Sequence, residues 1–168
     1  MASCSFIGHR DFVGDDVWKE KIKRLIVELI KEFDVNSFYV EAKSNFTYFC
    51  SKIIKELKEI YSSLKLIYVW GEWMYSNESV DKSMLKFYDE ILKPKCFIGA
   101  GKKIYVKRNY YIIDMCDIIV FYYDENRGEK VLTKNSPLKI KSGTWIAYDY
   151  AKTKGKKIIN VWNGDFNI

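Results

Sequence analysis

The sequence has few of the residues that build metal sites and disulfide scaffolds. Its 168 residues include one histidine and four cysteines. The cysteines are widely separated and form no Cys-x-x-Cys pair, at Cys4, Cys50, Cys96 and Cys116. Because zinc sites draw on closely spaced cysteine and histidine ligands, we expect no metal site. Each cysteine lies in or beside an apolar run, which predicts reduced core thiols and a cytoplasmic protein.

Glycine and proline are also scarce, and no apolar run is long. Nine glycines and two prolines accompany a hydrophobic fraction of 48%, which argues against disorder and predicts one globular domain over residues 1–168. No run approaches the ~18 apolar residues of a membrane span. The N-terminus leads directly into a predicted strand and leaves no room for a signal peptide. These features favour a soluble protein without a membrane partner.

The charge of the chain is basic, with a formal net charge of +6. Such a balance favours an anionic partner, whether a nucleotide, a nucleic acid or an acidic surface. The lysines are scattered along the chain, however, whereas nucleic-acid sites usually cluster them on one face. A nucleic-acid partner is therefore the least favoured of the three, and an ordinary solvated basic surface explains the charge equally well.

Apolar strands alternate with amphipathic helices along most of the chain. The strands are continuously apolar and are predicted at residues 3–7, 37–40, 64–70, 118–123 and 157–162. Helices are predicted where apolar residues recur at three- and four-residue spacing, around residues 22–33, 46–60, 83–92, 110–116 and 144–153. This alternation predicts an α/β fold, a Rossmann-like open parallel sheet with helices on both faces.

Two segments are harder to assign. We predict that Pro94 ends the helix over residues 83–92, since proline disfavours helical geometry in the residue before it. The lysine-rich loop over residues 124–141 is long for a compact domain, which indicates an ordered flap or hairpin rather than a disordered linker.

Polar residues follow the predicted strands at their carboxyl ends. In open parallel sheets the ligand crevice lies beyond these ends, where the strand order reverses. We therefore expect the strand exits to converge on one site, namely Gly8-His9-Arg10, residues 41–45, Glu72-Trp73 and Ser142-Gly143-Thr144.

Ser142, Gly143 and Thr144 open the last helix with two hydroxyls and a glycine. A helix N-terminus presents free N–H groups, and its dipole favours negative charge, so this turn predicts an anion site. Capping the helix would require only one of the two hydroxyls. Elsewhere on the rim, Gly8 would let a ligand approach the backbone closely, and Arg10 offers a planar guanidinium suited to phosphate.

Two further residues allow more than one role. His9 could donate a proton or stack on a base, or it could tie its own loop together. Arg108 is expected near the start of a helix, where its charge opposes the dipole unless an anion or a carboxylate accompanies it. That partner could be a ligand, or one of Asp114, Asp117 and Asp124.

Aromatic residues near the strand exits could contact a base. Phe46, Trp73 and Tyr110 are the candidates for stacking, with ordinary core packing as the alternative for each.

Several of these motifs together resemble a known family. Residues 4–10, residues 108–114 with the strand to Asp124, and the turn at residues 142–144 are similar to YpsA-like members of the SLOG superfamily. The resemblance implies a Rossmann-like domain that binds nucleotide-derived ligands as a dimer or higher oligomer, without a cofactor or a metal. The residue patterns and the resemblance together give these candidate ligand-binding residues: Gly8, His9, Arg10, Ser44, Phe46, Trp73, Arg108, Asn109, Ser142, Gly143 and Thr144.

The same superfamily contains the Lonely Guy phosphoribohydrolases, and the chain departs from their signature. Arg108 matches their arginine, and Gly143 with Thr144 matches the end of their glycine-rich turn. Ile146 and Ala147, however, stand where the catalytic glutamates should be. Cleavage of an N-glycosidic bond requires a carboxylate, which would have to come from another strand exit, at Glu41 or Glu72.

The sequence therefore favours binding over catalysis, with no catalytic residue assigned. The first hypothesis is a pocket that senses or sequesters a nucleotide immune signal, for example as a phage-encoded sponge that inhibits anti-phage defence. The alternative is a nucleoside 5′-monophosphate hydrolase that combines Arg108 with Glu41 or Glu72. The third hypothesis is a single-stranded nucleic-acid adaptor, as in the DNA-processing Smf branch of the superfamily.

Overall fold

The computed structural model of the protein describes residues 1–41, 44–71, 86–126, 130–133, 136–140, 142–164 and 166. Its strands are β1 Ala2–Gly8, β2 Val35–Val40, β3 Lys65–Val69, β4 Glu90–Leu92, β5 Ile118–Tyr122, β6 Lys130–Thr133, β7 Ser136–Ile140 and β8 Lys157–Asn160. Its helices are α1 Asp16–Phe33, α2 Asn45–Leu57, α3 Ile104–Met115 and α4 Gly143–Thr153. None of the described helices is both long and apolar enough to cross a membrane.

Six strands form one open sheet in the order β4-β3-β2-β1-β5-β8. Every neighbouring pair in this sheet is parallel, as the continuously apolar strands predict. From β1 the chain builds outward through β2, β3 and β4, and it then returns to place β5 on the other side of β1. The strand order therefore reverses between β1 and β5, where open α/β sheets form their ligand crevice.

Helices cover both faces of the sheet and bury two hydrophobic clusters. Neighbouring residues of β1 point to opposite faces, so that Phe6 packs in the cluster with α1 and α2 while Ile7 packs in the cluster with α3 and α4. The predicted Rossmann-like α/β architecture is confirmed.

Three of the four cysteines are buried free thiols, at Cys4, Cys50 and Cys116. Burial raises the pKa of the Cys50 and Cys116 thiols well above their usual range, which keeps them protonated. Cys96 is exposed, so the prediction that every cysteine lies in the core is wrong at this position. It lies in a short turn that packs Phe97, rather than its own side chain, into the interior.

Short polar side chains cap the helices where the sequence predicts helix starts. Asp15 caps α1 by accepting a hydrogen bond from the Trp18 N–H, and Ser44 and Ser142 do the same for α2 and α4. Gly155 follows the end of α4 with φ of 63°, a left-handed conformation that favours glycine.

The prediction of a helix over residues 83–92 is wrong at its described end. Glu90–Leu92 forms β4, an edge strand parallel to β3. Residues 83–85 lie outside the described part of the chain. Asp89 anchors the pairing, because its N–H donates to the Leu66 carbonyl at 2.9 Å and its carboxylate accepts from the Leu66 N–H at 2.7 Å. Sheet pairing thus outweighs the local apolar pattern. In the lysine-rich loop, β6 and β7 form an antiparallel hairpin, in agreement with prediction.

Asp117 ties the start of β5 to the start of β1. Its carboxylate accepts hydrogen bonds from the Ser3 N–H at 2.9 Å and the Ser3 hydroxyl at 2.8 Å. These two bonds lower the pKa of Asp117. Stability from a lowered pKa is present above the unfolded-state pKa of about 3.9 and is lost as the pH falls through the folded-state pKa.

Asp117→Asn is therefore expected to lower the free energy of unfolding near neutral pH and to leave it almost unchanged at acidic pH. Because Asp117 is exposed, the loss should stay below about 1 kcal/mol. Urea denaturation of wild type and variant at about pH 7 and about pH 2 measures both values. An equal difference at the two pH values would contradict a role for the ionised carboxylate.

Candidate functional site

A cavity of about 350 Å³ opens at the carboxyl ends of β1 and β2, beside α3 and the N-terminus of α4. This volume lies at the lower end of the ~300–1,000 Å³ typical of small-molecule sites. The cavity brings together nine of the sequence-predicted residues: Gly8, His9, Arg10, Ser44, Arg108, Asn109, Ser142, Gly143 and Thr144. Glu41, Tyr105 and Asp11 also line it.

A buried ion pair between Glu41 and Arg108 forms part of the cavity wall. The Arg108 Nη2 atom lies 2.8 Å from Glu41 Oε2, and the two side chains are 4% and 7% exposed, respectively. The Arg108 Nη1 group also donates to the Gly71 carbonyl at 3.3 Å. Arg108 Nε is buried and has no hydrogen-bond partner within the described ranges.

The position of Arg108 corrects two expectations. Helix α3 begins at Ile104, so Arg108 lies in its second turn rather than at its start. Its described ionic partner is Glu41 from the exit of β2, and not one of the three aspartates nearby in sequence. Gly71 makes room for the arginine, because a Cβ at this position would lie 2.9 Å from Arg108 Cδ.

Glu41 is also hydrogen-bonded to the beginning of α2. Its Oε1 atom accepts from the Ser44 N–H at 3.0 Å and lies 3.4 Å from the Thr47 hydroxyl. The Ser44 hydroxyl in turn donates to the Gly8 carbonyl at 3.1 Å. This network links β1, β2, α2 and α3 behind the cavity, and it leaves the wall formed by Glu41 and Arg108 without net charge.

The N-terminus of α4 also lines the cavity. The Ser142 hydroxyl accepts from the Trp145 N–H at 3.0 Å and so caps the helix. The N–H groups of Gly143 and Thr144 belong to the first turn and have no partner within the helix. Together with the helix dipole, they make this end of the cavity suited to an anion.

Gly143 is not required by the fold. Among the described residues, no atom beyond its chain neighbours and its own helix backbone would lie within 4 Å of a Cβ at this position, and its φ is not positive. At every other glycine that the structure describes, either φ is positive or a Cβ would come within 2.9 Å of a neighbouring side chain. A glycine at this first helical position leaves the backbone N–H groups open to close approach by a ligand.

His9 lines the cavity but is also fixed by protein contacts. Its Nε2 atom accepts a hydrogen bond from the Asp124 N–H at 3.2 Å, which requires this nitrogen to be unprotonated. The ring packs edge-on against Tyr122 and Trp162. The structure thus shows the loop-tying role, while proton donation and base stacking remain predictions.

Phe46 lies in the core beside Gly8. A Cβ at Gly8 would lie 2.7 Å from the Phe46 ring, so this glycine makes room for a core side chain; it also lines the cavity, and its contact with a ligand stays a prediction. Phe46 is fully buried, and its ring stacks on Tyr122 at 5.4 Å between centroids. The assignment of Phe46 to a ligand is corrected accordingly, because its ring does not reach the cavity.

The other two aromatic candidates are Tyr110 and Trp73. Tyr110 stacks on Tyr150 at 3.9 Å between ring centroids, away from the cavity lining. Trp73 and Glu72 lie outside the described residues. Tyr105 does line the cavity, with the Arg108 guanidinium carbon 5.5 Å from its ring centroid, and sequence reasoning missed it. The three-residue spacing of Tyr105 and Arg108 on one helix face could have identified it.

Within the described ranges, no three histidine, cysteine, aspartate or glutamate side chains are grouped so as to hold a metal ion. No protein-family model matches the chain, and a comparison with curated proteins found no match. The resemblance to the SLOG superfamily therefore stays an interpretation of the motifs.

Proposed function

We propose that the protein binds a nucleotide-derived small molecule in the cavity without converting it. The phosphate of the ligand would lie on the first turn of α4, and its uncharged part would face Glu41 and Arg108. The observation that carries this proposal is Gly143, a glycine that neither packing nor backbone geometry requires, placed where helix N–H groups meet the cavity.

The charges around the cavity support an anionic ligand. Arg10 is exposed at the cavity, and its planar guanidinium suits phosphate oxygens. Arg108 is paired with Glu41, and the lining carries Asp11 beside Arg10, so its described charged side chains are two of each sign. The first turn of α4, together with Arg10, would then hold the phosphate. The net charge of +6 would further favour the approach of an anion.

The carboxylate of Glu41 supports binding rather than hydrolysis. Ser44, Thr47 and Arg108 already surround its oxygens, which limits its use as a general base. Asp149, the carboxylate carried by α4, is exposed and does not line the cavity.

Binding without turnover suits a protein that senses or sequesters a nucleotide signal. Within this proposal the protein acts in the cytoplasm as a homo-oligomer, and it lowers the free concentration of a nucleotide immune signal such as those of anti-phage defence. Sequestration requires that the ligand is not chemically altered while it is bound.

The second candidate function is a nucleoside 5′-monophosphate hydrolase. One observation favours it: a carboxylate and a guanidinium lie 2.8 Å apart in the wall of a nucleotide-sized cavity. A ligand that drew Arg108 away from Glu41 would release the carboxylate to activate water.

Calorimetric titration with a nucleotide panel tests the proposal and separates the two candidates. The panel comprises adenosine 5′-monophosphate, adenosine 5′-triphosphate and ADP-ribose, and chromatography of each mixture detects any free base. We expect saturable binding of at least one compound and its recovery intact. Release of adenine, abolished by Glu41→Gln, would favour the hydrolase, and the absence of any binding would contradict both candidates.

A further inference from the structure

The cavity contains an aromatic ring that the proposed phosphate site does not use. Among its described lining residues, Tyr105 is the one phenylalanine, tyrosine or tryptophan. It lies in the first turn of α3 and is half-buried. Its ring therefore offers a flat aromatic surface among the described residues that line the cavity.

The ring is held in place by its neighbours. The guanidinium of Arg108 lies over it at 5.5 Å from the ring centroid. Arg108 is itself fixed by Glu41 at 2.8 Å and by the Gly71 carbonyl at 3.3 Å. The ring also packs against the hydrophobic cluster formed by α3 and α4. A ring that is ordered before binding loses little conformational entropy when a ligand stacks on it.

We propose that Tyr105 stacks on the planar base of the ligand and so selects nucleotides over sugar phosphates. This inference rests on the proposed function, because it assumes that the phosphate of the same ligand lies on the first turn of α4. A flat aromatic group complements the tyrosine face, whereas a ribose alone would leave that face in water. The cavity volume of about 350 Å³ favours a ligand near the size of a mononucleotide over a larger one.

Two ligands and two variants test the inference. Adenosine 5′-monophosphate and ribose 5-phosphate share the sugar and the phosphate and differ in the base. Their affinities are measured by calorimetry for wild type, Tyr105→Phe and Tyr105→Leu. Base–aromatic stacking is large enough that wild type should bind the nucleotide about tenfold or more tightly than the sugar phosphate.

Tyr105→Leu is expected to weaken nucleotide binding about tenfold and to leave ribose 5-phosphate binding unchanged. Tyr105→Phe, which keeps the ring, should bind both ligands as wild type does. Equal weakening of both ligands by Tyr105→Leu would indicate a purely structural role and overturn the inference.

The affinities of wild type for the two ligands test the inference even if the leucine variant does not fold. Equal affinity of wild type for the two ligands would overturn base selection while leaving phosphate binding intact. Binding of neither ligand would instead contradict the proposed function for nucleoside monophosphates, and the role of Tyr105 with it. Failure of base selection therefore gives equal affinities, whereas failure of the proposed function gives no binding.

Discussion

Arg108→Met should lower the free energy of unfolding by about 3–5 kcal/mol, because it leaves the Glu41 carboxylate buried without its cation. The two groups lie 2.8 Å apart and are almost completely shielded from water. The hydrogen bonds that Glu41 accepts from Ser44 and Thr47 replace only part of this interaction. Urea denaturation followed by circular dichroism measures the loss.

The double variant Glu41→Gln/Arg108→Met provides the matched control. Removing both charges should restore most of the lost stability, since a buried ion pair contributes little net stability relative to neutral groups of similar size. A loss below about 1 kcal/mol for Arg108→Met alone would contradict the buried pair, as would a double variant no more stable than the single one.

Gly143→Ala should separate ligand binding from stability. Among the described residues, no atom beyond the chain neighbours and the helix backbone would lie within 4 Å of the methyl group, and alanine favours the helix. We therefore expect no loss of stability and a gain of up to about 0.5 kcal/mol. The same methyl group would occupy the space in which a phosphate oxygen approaches the N–H groups of α4. Calorimetry should therefore show adenosine 5′-monophosphate binding weakened by at least about tenfold, or ~1.4 kcal/mol.

Gly155→Ala is the control at the other end of the same helix. Gly155 has φ of 63°, so alanine there should destabilise the protein by about 1 kcal/mol. It does not line the cavity, and its replacement should leave nucleotide affinity unchanged. The proposal would be contradicted if Gly143→Ala bound the nucleotide as tightly as wild type.

Sequence reasoning predicted the fold because its signals are local and repeated. Continuous apolar strands separated by amphipathic helices require a covered parallel sheet, and the polar strand exits must then lie along one edge. The segment ending at Leu92 was predicted as a helix rather than a strand because a short apolar run fits both equally well. Its pairing with β3 depends on contacts with Leu66, which is distant in sequence.

Most of the residues predicted for the site line one cavity, but several of their contacts were not predicted. Ser142 and Gly143 could be predicted because both lie at the start of one helix, where the local sequence indicates a cap. The pairing of Glu41 with Arg108 joins residues from separate strand–helix units, so no local pattern could reveal it. The sequence also did not reveal that Gly8 makes room for Phe46, because the packing around a glycine depends on residues distant in sequence.

Native mass spectrometry of the protein as purified tests the central claim most directly. The account predicts a stoichiometric adduct with the mass of a nucleotide derivative, released intact on denaturation and clearly reduced in Gly143→Ala. In protein purified without ligand, the same adduct should form when the nucleotide panel is added. Failure of every nucleotide to form an adduct, or equal retention by wild type and Gly143→Ala, would contradict a phosphate site at the N-terminus of α4.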